Sequence, residues 1–73
     1  MIKETIIVAK KESEKLLSAI QIIEKSVGKT DASIYAKKCL TDFIKCNISS
    51  PSIIQRYDGV RKLLQNYKEL NND

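Results

Sequence analysis

The most reactive side chains in this 73-residue chain are two thiols, Cys39 and Cys46, and it contains no histidine. A structural zinc site draws about four ligands from Cys, His and carboxylates. A nucleophilic thiol needs a base beside it, most often an imidazole. Two cysteines seven positions apart supply neither. Within one helix that spacing is two turns, about 10 Å along the axis, too far for a bridge inside the chain. It suits two thiols on one helix face, the buried setting that free cysteine commonly occupies. The nine carboxylates lie scattered among thirteen Lys and Arg, and no glycine-rich phosphate loop is present. The groups that acid–base or metal catalysis uses are missing. We therefore expect a protein that is not an enzyme, with no cofactor and no metal.

What remains is charge. The net charge is +4 and the pI is near 9.2, values that tolerate a polyanionic partner without demanding one. Residues 1–48 carry nine Lys against six acids, whereas residues 49–73 carry four basic against three acidic residues. The longest apolar run, Ile6 to Ala9, is far short of a membrane span, and Lys10-Lys11-Glu12 follow it at once, unlike a signal peptide. A cytoplasmic protein with no membrane partner is the expectation. A chain of 73 residues is one domain, residues 1–73, near the lower limit for a core of its own.

The elements that would position these groups follow from periodicity. Thr5-Ile6-Ile7-Val8 is β-branched throughout and reads as a strand over residues 3–9. After Lys11 the period changes. Leu16, Ile20, Ile23 and Val27 form a helical stripe over residues 13–27, with Ser13 as N-cap and Gly28 as the left-handed stop. Ile22 falls well off that stripe, which suits a helix buried on more than one side. Thr30 or Asp31 caps a second helix, residues 31–47, carrying Tyr35, Ala36, Cys39, Leu40, Phe43 and Ile44 inward. Ser50 and Pro51 start a third, residues 51–70, with Ile53, Tyr57, Val60, Leu64 and Tyr67 as its stripe. A lone strand needs a partner, and the same strand of a second copy supplies one about a two-fold axis.

Strand, helix, turn and helix, carried by "TIIV", "LLSAI", "GKTDAS" and "CLTDFI" over about residues 3–46, resemble the ribbon-helix-helix DNA-binding proteins. The span from Val8 to Gly28 is about one turn longer than is usual in that family, and the third helix is an addition. The Ile- and Lys-rich usage is similar to that of small ribbon-helix-helix-like proteins of spindle-shaped archaeal viruses. The resemblance implies a mainly α fold with one N-terminal strand, an intertwined homodimer with a third helix appended. It also implies a viral or plasmid-encoded transcription regulator in the (host) cytoplasm, with double-stranded DNA as partner.

In that family the paired strands read the major groove and the second helix grips a phosphate with its amide end. Here the outward strand positions are Lys3, Thr5, Ile7, Ala9 and Lys11; burying Ile2, Glu4, Ile6, Val8 and Lys10 places the larger apolar set inside. The implied DNA-binding residues are Lys3, Thr5, Ile7, Lys10 and Lys11 on the ribbon, with Lys29 and Thr30 as the phosphate clamp. The ribbon set lacks Arg, Asn and Gln, the bidentate base readers, so weak sequence preference is expected. Two alternatives stay open. One is a protein-binding regulator, such as an antitoxin whose third helix engages a partner. The other is an all-helical bundle with residues 3–11 as a helical or disordered arm.

Overall fold

A computed structural model describes the backbone of residues 2–71 and the side chains of residues 3–69. The described residues form three helices: α1 (Ile2–Val27), α2 (Asp31–Lys45) and α3 (Ile53–Asn71). No strand occurs among them, so the ribbon-helix-helix fold, and a homodimer built on paired strands, are both overturned. Residues 3–9 are the first turns of a 26-residue helix.

The reason is that the helical stripe does not begin at Leu16. Ile6, Ala9 and Ser13 continue it backwards, and all three are buried. Four β-branched residues in a helix cost roughly 2 kcal/mol relative to alanine, whereas burying one isoleucine returns about 1.5–3 kcal/mol. Ile6 is only 1% exposed. A helix also satisfies its own backbone groups, so no partner strand is required. The two-residue alternation dissolves: Ile6 is buried, Glu4 and Val8 are exposed, and the side chain of Ile2 lies outside the described residues. Ser13, expected as an N-cap, sits in the helix interior, where its hydroxyl donates to the Ala9 carbonyl at 2.7 Å.

Gly28 closes α1 at φ 88°, its N–H donating to the Glu24 carbonyl at 2.8 Å. Thr30 then caps α2 through a reciprocal pair: its hydroxyl accepts from the Ser33 N–H at 3.0 Å, and the Ser33 hydroxyl accepts from the Thr30 N–H at 3.0 Å. At Cys46 the chain turns extended, so α2 ends at Lys45. Ser50-Pro51-Ser52 forms a turn of its own, in which the Ile53 N–H donates to the Ser50 carbonyl at 3.1 Å.

α1 and α2 pair as an antiparallel hairpin, and α3 lies over the N-terminal half of α1 and the C-terminal half of α2. The core joins Ile6, Ala9 and Leu16 of α1 to Leu40 and Phe43 of α2 and Ile53, Val60 and Leu64 of α3. Phe43 is fully buried at its centre and meets the Tyr57 ring at 6.1 Å between centroids. The far end of the hairpin lies outside this core.

The two glycines should respond oppositely to alanine. A Cβ at Gly59, inside α3, meets nothing within 4 Å, so Gly59→Ala should raise the unfolding free energy by about 1 kcal/mol. Gly28→Ala also meets open space, yet its left-handed backbone should cost about 1–2 kcal/mol. Urea unfolding of both variants measures this, and shifts of the same sign would contradict it.

Candidate interaction site

The residues expected to bind DNA do not share a surface. Lys3, Ile7 and Lys11, four apart, fall on the exposed outer face of α1, while Thr5 faces a cleft against α3. Lys29 and Thr30 lie beyond the other end of α1, more than about 20 Å of helix from Lys11. Lys10 turns inward. Its ammonium donates to the carbonyl of Ile44 at 3.0 Å and to that of Cys46, with the Phe43 ring 5.9 Å away. It therefore satisfies carbonyls that the C-terminus of α2 leaves without helical partners.

At the opposite end of α2, the Glu24 carboxylate takes the place assigned to a phosphate. It accepts from the Ser33 hydroxyl at 2.6 Å and from the Lys37 ammonium at 2.7 Å. Its side chain is 7% exposed. Bonds from Lys37 and Ser33 hold the Glu24 carboxyl below the ordinary range, outweighing the desolvation that would raise it. An anion approaching this helix end would meet a carboxylate already bonded there.

A cleft of about 500 Å³ opens between α1 and α3. Its floor is apolar, formed by Ala9, Tyr57 and Leu64, with the exposed Val8 on the α1 wall. Glu4 and Glu12 stand on the α1 wall; Arg61, Gln65 and Lys68 stand on the α3 wall. Lys68 bridges to Glu12 at 3.2 Å, tying the walls together at one point. Among the described residues Arg61 pairs only with Asp58 of its own helix, at 3.4 Å and in the open. Among the described residues Glu4 has no ion-pair partner. Sequence periodicity missed this wall because a strand would spread Glu4, Val8 and Glu12 about 13 Å apart, with Ile6 and Lys10 between them on the same face, whereas a helix stacks them one turn apart and turns Ile6 and Lys10 away.

Both thiols are free and half-buried. The Cys39 thiol, one turn along α2, pushes the Tyr35 phenol up from its ordinary value. Among the described residues no group of three or more His, Cys, Asp or Glu could hold a metal ion, and no helix is long and apolar enough to cross a membrane. No family model, curated protein or solved structure matches this chain.

Because the Glu24 pKa is depressed by folding, its contribution to stability is present above the unfolded value and is lost as pH falls through the folded one. Stability should therefore drop as pH is lowered through the ordinary carboxylate range and further below it. Glu24→Gln should flatten that part of the profile, measured by urea unfolding between neutral and acid pH. Lys10→Met, which keeps the stem and removes the donor, should cost about 1–3 kcal/mol. An unchanged stability would return Lys10 to the list of surface lysines.

Proposed function

We propose that this chain is a protein-binding module that seats an amphipathic helix of a partner in the α1–α3 cleft. The observation that carries the reading is the arrangement of the cleft: an apolar floor between an acidic wall and a basic one. A helix laid in a groove buries one apolar face and offers its flanks to the walls. Glu4 calls for a basic residue on one flank, and Arg61 for an acidic residue on the other. The net charge of +4 favours encounter with an acidic partner. The third helix contributes half of the cleft, which keeps the protein-binding regulator among the readings.

The test uses a synthetic amphipathic helix of about 14 residues, leucines on one face, lysines on one flank and glutamates on the other. Titrated into labelled protein, it should shift the amide resonances of Val8, Arg61 and Gln65 and leave those of Lys11 and Lys15 in place. Val8→Glu should weaken that binding by about tenfold or more. Shifts confined to other faces would remove the cleft from the function.

A second reading, duplex DNA binding, is favoured by one observation: Lys3, Lys11, Lys15 and Lys25 all lie exposed along the outer arc of α1. Such a row contacts phosphates without reading bases, and each contact adds about 0.9 to the slope of log affinity against log salt. Lys11→Ala with Lys15→Ala should then make that slope shallower, while Arg61→Ala with Lys62→Ala should not. Equal effects would reduce this to diffuse attraction by net charge.

A further inference from the structure

The walls of the α1–α3 cleft carry charges that the chain itself leaves unmatched. α3 runs alongside α1 in the same direction: Lys68 meets Glu12, and Glu4 and Tyr57, eight and eleven residues earlier, line the same cleft. Helices running in opposite senses would hold those two residues about 28 Å apart. Arg61 stands about 10 Å back along α3 from the Lys68–Glu12 pair, and Glu4 about 12 Å back along α1. The two therefore occupy opposite walls at one level. Among the described residues Glu4 has no ion-pair partner, and Arg61, 60% exposed, has only Asp58. Each wall also holds an exposed aliphatic side chain. Val8, between Glu4 and Glu12 at four-residue steps, is 54% exposed. Ile54 is 47% exposed and precedes Arg61 and Lys68 at seven-residue steps, which places it on their face of α3.

We propose that these walls are the contact surface for a second copy of the chain, packed face to face about a two-fold axis parallel to α1 and α3. The proposal rests on the reading of the cleft as a seat for helices and names the occupant. Charge selects both the occupant and the axis. A two-fold contact sets residue i against j and j against i. With the axis parallel to the helices, α1 of each copy lies on α3 of the other, and acidic wall meets basic wall twice. Each Glu4 then faces the other copy's Arg61 at its own level. An axis across the helices would set acidic wall on acidic wall. A cleft with both walls of one sign cannot complement itself; this one does so with the residues it already carries. Val8 and Ile54 of both copies close over Ala9, Tyr57 and Leu64, so four helices enclose an apolar centre that one copy leaves open. The charge pairs sit at an exposed rim, where they fix the arrangement more than they strengthen it.

Sedimentation equilibrium of the wild type and of two charge reversals, Glu4→Arg and Arg61→Glu, tests the proposal. The wild type should dimerise with a dissociation constant between about 1 μM and about 300 μM. Each reversal alone places two like-charge contacts in the dimer and should weaken it about tenfold or more, with the helical circular dichroism unchanged because both side chains are exposed. An equimolar mixture of the two variants should regain the wild-type association. One contact then opposes the two reversed charges and the other the two original ones, a rescue that only a reciprocal contact between copies produces. A dimer indifferent to both reversals overturns the proposal, as does a mixture that associates no better than its components. So does a wild type that stays monomeric throughout that range. In that last case the synthetic helix separates the two readings: shifts at Val8, Arg61 and Gln65 leave the seat and remove only the copy, and no shift there removes both.

Discussion

α2 is held at both ends by side chains of α1, and the rest of the fold depends on that grip. Lys10 reaches the carbonyls at the C-terminus of α2, and Glu24 reaches Ser33 and Lys37 near its N-terminus. The two residues are fourteen apart, about 21 Å of helix, which matches the length of the 15-residue α2. Each charge also has the favourable sign for the end of the helix dipole it meets. With α2 fixed antiparallel and in register, Leu40 and Phe43 face Ile6, Ala9 and Leu16, and α3 has a hydrophobic seat to close over.

The same geometry explains why the molecule is unevenly covered. α3 packs where the chain re-enters after the Ser50-Pro51-Ser52 turn, next to the C-terminus of α2 and the N-terminal half of α1. Its 19 residues against the 26 of α1 leave the hairpin end outside the core. Ser13 assists at the covered end. A small residue, fully buried, it bonds its hydroxyl back to Ala9, so helices approach closely without an orphaned polar group. The two surface features that follow, a cleft with walls of opposite charge and an uncovered apolar end, both suit association with macromolecules.

The lysines show how position within a fold changes what a charge does. Lys10, Lys37 and Lys68 are engaged inside the molecule, with α2 carbonyls, Glu24 and Glu12 in turn. Lys3, Lys11 and Lys15 remain on the outside of α1. A count of basic residues treats all six alike, and only the second group is free to attract a polyanion.

Sequence alone determined the helical stretches after Lys11, the stop at Gly28 and the candidate core from Leu40 to Leu64, because those signals are local: a 3.6-residue period and residues suited to caps and left-handed turns. It also showed that the end of α1 is apolar on more than one side. It did not determine the state of residues 3–9. Over four β-branched residues, a strand and a buried helix turn look the same. The choice fell to tertiary contacts, the burial of Ile6 and Ala9 and the engagement of Lys10 by α2. The cleft was equally out of reach. Glu4, Val8 and Glu12 become neighbours only once that segment is helical, and they meet Arg61 and Lys68 only once α3 has packed across it.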